Sequence, residues 1–225
     1  NLLLLFFLVA NIDAQSIDSE QKNFPETPII VSLGYACEVA LAISELHLRK
    51  AAYPFDWLRT SFSALYAAIE DDFQHIFTEI TLNEHNHIFD YYGLEFAHDS
   101  ILKIDQEIDS NLARLAKEKY GRRAKRFIDL CKSDKKVVFI RYGIMEFQTL
   151  KEVAGAVRQQ EMQEAIQLKN ILKFKYPNLD FLLIVLSWDS DTEPWNIEGV
   201  RNIVHEDTST TIKQILLELF LDLLP

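Results

Sequence analysis

A chain of 225 residues, 48% of them hydrophobic and 12% aromatic, holds enough apolar material for one sizeable core. Its formal net charge of −11 excludes a general nucleic-acid binder, because neutralising phosphates requires a basic surface. Six glycines, six prolines and two cysteines exclude both a low-complexity chain and a disulfide scaffold.

Residues 2–10 form an uninterrupted apolar run, too short to span a bilayer as a helix, so no stable membrane span is expected. The run has the length of a signal-peptide core, and Ile12-Asp13-Ala14 before Gln15 fits a cleavage site. No initiator Met or basic leader is visible, and the alternative is a buried N-terminal segment. If residues 1–14 are a signal peptide the protein is secreted or extracytoplasmic; otherwise it is cytoplasmic. Residues 1–20 are therefore set apart, and one α/β domain is expected over 27–225.

Residues 27–34, TPIIVSLG, read as a buried strand ended by Gly34. From Cys37 to about Lys50 the spacing of Val39, Ala42, Ile43 and Leu46 predicts a helix. Pro54 keeps YPFDWL (53–58) out of any helix, and Thr60 or Ser61 caps a second one running to about Phe77. A histidine-rich stretch follows as loop, with a short strand at Leu94 to Ala97. Residues 104–130 are helical, with a break expected at Gly121. Residues 135–143 and 179–189 read as buried strands around a long helix at 149–176. Residues 200–207 read as a third strand before a C-terminal helix capped by Thr208 to Thr210. Continuous apolar strands separated by helices predict a mostly parallel sheet covered on both faces, an α/β fold.

Ligands of such sheets bind beyond the carboxyl ends of the strands. That rule selects Ser32, Gly34 and Cys37 after the first strand, Arg141 and Glu146 after the next, then Ser187, Trp188 and Asp189, then His205, Glu206 and Asp207. Cys37 in the first turn of its helix faces unsatisfied N–H groups, which should lower its pKa below the free value of about 8.5. A thiolate there is a nucleophile if a histidine moves the proton; otherwise Cys37 is a small core residue. His98 and His205 each follow an apolar segment and precede a carboxylate, Asp99 and Glu206 respectively. Asp56, flanked by aromatics, either contacts a ligand or pins its loop through backbone N–H groups. Arg141 ends a buried strand, where it must be paired, by a carboxylate or by an anionic ligand. His85 and His87 beside Glu84 lack a third firm ligand, so no metal site and no cofactor are expected. The basic run at 122–126 reads as a solvated helix face.

The stretch SLGYACEVALAISELHLRKAAYPFDWL (32–58) closely resembles the opening signature of a family of uncharacterised proteins described as "putative papain-like cysteine peptidases". YGLEFAHD (92–99), RRAKRF (122–127) and VVFIR (137–141) look like its later blocks. The likeness covers roughly residues 29–145 and is weaker through 181–186. The resemblance implies that Cys37 is the nucleophile and His98 its base, with Asp99 nearby; Ser100 departs from the aromatic expected after Asp99. It also implies a papain-like α+β fold as the alternative to a parallel α/β sheet. The expected function is a cysteine-dependent hydrolase, peptidase or acyl transferase, with Cys37, His98, Asp99 and His205 as catalytic candidates. Ser32, Gly34, Asp56, Arg141 and Asp189 would bind its substrate, a peptide or an anionic small molecule. The competing expectation is an α/β transferase or ligand-binding domain in which Cys37 only packs.

Overall fold

A computed structural model describes residues 27–35, 37–85, 87–96, 103–104, 107–143, 154–187, 195–204 and 212–223. The elements are β1 (Ile29–Ser32), α1 (Glu38–Glu45), α2 (Phe62–Glu70), β2 (Thr81–Leu82), β3 (Ile88–Phe89), β4 (Lys103–Ile104) and β5 (Glu107–Ile108). They continue with α3 (Ser110–Cys131), β6 (Val137–Tyr142), α4 (Ala154–Lys175), β7 (Phe181–Ser187), β8 (Val200–Val204) and α5 (Ile212–Leu223).

Strands β1, β6, β7 and β8 lie side by side in that order, all parallel, so the fold is α/β and not α+β. Register sets the two faces. Val31, Phe139 and Leu183 align across the sheet and enter one core with residues of α2, α3 and α4. Ile30 and Val138 align on the other face, where α1 and α5 supply Val39, Ile43, Ile215 and Leu216. Both faces being covered explains why the strands read as unbroken apolar runs. β2 with β3 and β4 with β5 form two small antiparallel pairs outside this sheet.

Two expected helix ends move. α1 ends at Glu45, and His47 takes a left-handed backbone (φ 56°) just beyond it. α2 ends at Glu70 and not near Phe77, because Asp72, Phe73 and Phe77 all turn left-handed, which drives both phenylalanine rings inward. Ser61, not Thr60, caps α2: its Oγ accepts from the Ala64 N–H at 3.1 Å. In contrast, α3 runs from Ser110 to Cys131 through Gly121, so that glycine does not break the helix. The expected caps at Thr208 to Thr210 lie outside the described residues, as do residues 1–20.

The PFDW loop also lands elsewhere than the chain order suggests. Its Phe55 is fully buried, but in the core beneath α2 and α3, on the face opposite α1. Trp57 is only half-buried, under the Arg49 guanidinium at 5.2 Å. Arg122, Lys125 and Arg126 of the basic run of α3 are exposed as expected, with Lys125 paired to Asp129 one turn on, but Arg123 is half-buried, 5.1 Å from the Tyr120 ring centre.

One buried carboxylate organises the loop after α2. Asp90 accepts the N–H groups of Phe77 (3.0 Å), Tyr92 (3.1 Å) and Leu94 (3.1 Å). Burial nevertheless outweighs those bonds and pushes its pKa up to about 6. The folded pKa thus lies above the unfolded value of about 3.9, so the group's stabilising contribution is full below pH ~4 and lost as the pH rises through 6. The melting temperature of Asp90→Asn should therefore depend less on pH than that of the wild type between pH 4 and 6. Equal slopes for both proteins would show that Asp90 does not titrate in this window.

Candidate active site

The site begins with a turn. After Ser32 the backbone passes through Gly34 (φ 77°) and Tyr35 (φ 73°), two successive left-handed residues, before Cys37 opens α1. Glycine is required at 34 for a second reason. An added Cβ would lie 2.7 Å from Thr60 Oγ1 and 3.0 Å from the carbonyl oxygens of Phe55 and Leu58. The YPFDW block and the SLG block of the sequence are thus pressed together, which accounts for their joint appearance.

Hydrogen bonds lock that contact. Ser32, fully buried, accepts the Gly34 N–H on its Oγ at 3.2 Å. Thr60 Oγ1 accepts the Tyr35 N–H at 3.0 Å and donates to the Leu33 carbonyl at 3.1 Å. Arg141, 1% exposed, reaches across from β6 and donates through Nη1 to the Leu33 carbonyl at 3.0 Å and to Thr60 Oγ1. Its Nη2 donates to the Thr60 carbonyl. The guanidinium lies 4.6 Å from the Phe62 ring centre and 5.4 Å from that of Tyr35. Desolvation lowers Arg141 to about 10, so it stays charged, with Glu164 the largest of its electrostatic supports. Sequence reasoning offered Arg141 to a carboxylate or a ligand; in the structure Nη1 donates to the Gly34 turn and to Thr60, and Nη2 to Thr60.

Asp56 is likewise turned inward. Its Oδ2 accepts the Tyr53 N–H at 2.8 Å and pairs with Arg49, so it pins its loop, the second of the two roles open to it. Burial is the largest influence on its pKa and raises it.

Cys37 occupies the N-cap of α1, half-buried, and its side chain caps no N–H. Burial raises its pKa, and the neighbouring Glu38 carboxylate raises it further; its own backbone hydrogen bond and the charge of Arg59 pull the other way. The expected fall in thiol pKa is therefore overturned: desolvation and an adjacent acid outweigh the helix terminus. Cys131 is buried at the end of α3, where burial alone pushes its thiol up strongly. Both cysteines are free. Cys37 follows the carboxyl end of β1 and Cys131 precedes the amino end of its parallel neighbour β6, so the two lie at opposite ends of the paired strands and cannot bond.

Arg59 connects the thiol's surroundings to the block that contains His98. Arg59 and Glu95 exchange backbone hydrogen bonds at 3.0 and 3.1 Å, and Glu95 also ion-pairs with His87 at 2.8 Å. His98, Asp99, Trp188, Asp189, His205, Glu206 and Asp207, and Glu146 with them, lie outside the described residues. Among the described residues no group of three ligating side chains could hold a metal, and no helix is long and apolar enough to cross a membrane. A groove of about 650 Å³ runs along the outer side of α4, lined by Glu70, Ile166, Ile171 and Phe174 among others; none of the residues that hold the Gly34 turn lines it.

Sequence reasoning read Thr60 only as a helix cap, and it placed Ser187 at the carboxyl end of its strand but missed Glu161 of α4, whose buried carboxylate accepts the Ser187 hydroxyl at 3.1 Å. An added Cβ at Gly143 would lie 2.7 Å from the Leu186 carbonyl oxygen, as well as against Glu161 Oε1, so bare backbone is needed there as at Gly34. For Glu161 the signal in the sequence was Gly143 directly after VVFIRY.

The fold and the turn define an α/β protein with a half-accessible cysteine at the head of its first helix. The chain belongs to the family described as "Putative papain-like cysteine peptidase (DUF1796)", whose model matches residues 29–191. It is also similar to "Uncharacterized protein R408" of Acanthamoeba polyphaga mimivirus, at 25% identity over 190 residues, covering 74% of this chain and 81% of that one. No solved structure matches it.

Proposed function

We propose that the protein is a cysteine-dependent hydrolase of amide or ester bonds, with Cys37 as nucleophile and His98 or His205 as base. The observation that carries this reading is the contrast between the two thiols. Cys131 is sealed in the core, whereas Cys37 is part-exposed where β1 hands over to α1, in the segment where the family match begins. The bond from Arg59 to Glu95 favours His98, which stands three residues after Glu95 in the chain.

Because burial and Glu38 hold the proton on Cys37, the thiol needs a base at the moment of attack. The base takes the proton as sulfur bonds to the carbonyl carbon, and the leaving group departs with that proton. Water then cleaves the thioester and restores the thiol. The first N–H groups of α1, uncapped by the Cys37 side chain, supply donors for the developing oxyanion.

A peptidyl vinyl sulfone tests this, because it traps a thiol only when a base and donors assist it. One label per folded chain is expected, absent in Cys37→Ala and slowed in His98→Ala or His205→Ala. Glu38→Gln removes a charge that favours the protonated thiol, so its labelling rate at fixed neutral pH should rise. Labelling only after unfolding, or at a rate indifferent to both histidines, would sink the nucleophile and leave a ligand-binding domain.

A further inference from the structure

Two adjacent left-handed residues, one of them a tyrosine, do not persist without support. A non-glycine residue in this region is strained and marks a place where the surroundings over-determine the backbone. Here the surroundings are specific. Tyr35 gives its N–H to Thr60 Oγ1 at 3.0 Å and lays its ring 5.4 Å from the Arg141 guanidinium. Leu33, on the other side of Gly34, gives its carbonyl to both Thr60 and Arg141. The turn is therefore held at both ends by the same two side chains, and each is 1% exposed.

The arrangement is more than a core contact. Arg141 Nε is buried with no hydrogen-bond partner, so the guanidinium has been placed for its Nη1 and Nη2 contacts and not for its own full satisfaction. A buried charge so used is costly, and packing alone would be served as well by an apolar residue. We propose that Thr60 and Arg141 are positioning residues for Cys37. They hold the Gly34–Tyr35 turn in its left-handed form, and so fix where α1 starts and where its N-cap residue points the thiol. The inference rests on the nucleophile reading of Cys37, and deepens it by naming what aims the sulfur.

The hydroxyl of Thr60 can be removed almost without change of shape. In Thr60→Val, labelling by the peptidyl vinyl sulfone should slow about tenfold, the scale of one lost hydrogen bond in a positioned site. Iodoacetamide needs an accessible thiolate but no aligned oxyanion donors, and its rate should not fall. The ratio of the two rates is the readout, since general destabilisation does not lower it. Thr60→Ser keeps the hydroxyl and should retain the wild-type ratio. If Thr60→Val fails to fold, Thr60→Ala removes the hydroxyl without seating a methyl against Arg141, and the same fall is expected. An unchanged ratio in a folded variant lacking the hydroxyl overturns the positioning role while leaving the nucleophile standing. A wild-type Cys37 that takes iodoacetamide but not the vinyl sulfone overturns the nucleophile, and the positioning role with it.

Discussion

Phe55→Ala should destabilise the protein by about 3–5 kcal/mol, while Trp57→Ala, two residues on, should cost only about 1 kcal/mol. Phe55 is fully buried and its ring lies 5.5 Å from that of Phe73 and 5.8 Å, edge-on, from that of Phe127. The contacts continue from Phe127 to Phe139 at 5.7 Å and on to Phe181 at 5.8 Å. A file of rings thus runs from the loop through α3 into the sheet, and deleting its first member leaves a cavity that rigid neighbours cannot close. Trp57 offers less, being half-buried with a guanidinium over its face. Urea titration with an unchanged m-value would measure both variants. Similar losses for the two would show that Trp57 belongs to the core after all.

Arg141→Met should also cost about 3–5 kcal/mol, the range for removing one member of a buried charged network. Methionine fills much of the volume but cannot donate. The Thr60 carbonyl would lose the Nη2 bond and Thr60 Oγ1 would lose its charged donor. Glu164, whose charge supports Arg141, would be left without that cation. Arg141→Lys keeps the charge but not the fork and should fall between methionine and wild type. The same titrations decide the case: a methionine variant within about 1 kcal/mol of wild type would mean the network contributes nothing net, as happens for some buried pairs.

Much of the fold was legible because burial on both faces writes itself into a strand. IIVS, VVFIRY and FLLIVLS are short, branched and nearly uninterrupted, and each is a strand of the parallel sheet. The end of α2 was not legible, since Phe73, Ile76 and Phe77 continue an apolar helical pattern. Their burial is achieved by left-handed turns that periodicity cannot register. Gly34, Ser32 and Cys37 could be read as one cluster because they lie within six residues. Thr60 could not, because its partners Leu33 and Arg141 stand 27 and 81 residues away and nothing local marks a threonine as a clamp. The error over the Cys37 pKa has a similar origin. A helix N-terminus is visible in sequence, but the depth at which the thiol sits is not, and depth was the larger effect.

The strand order has a consequence for how the site comes into being. β6, β7 and β8 pair with near neighbours in the chain, but β1 must find β6 across almost half the protein, and Leu33 meets Arg141 over 108 residues. Closing a loop of that length costs roughly 1–2 kcal/mol more than joining β7 to β8, since each doubling of length adds about 0.6 kcal/mol. Contacts of such separation slow folding and tend to be rewarded late. The edge strand that carries the cysteine would then be the last to dock, and a nascent or partly unfolded chain would hold its thiol without the geometry that directs it.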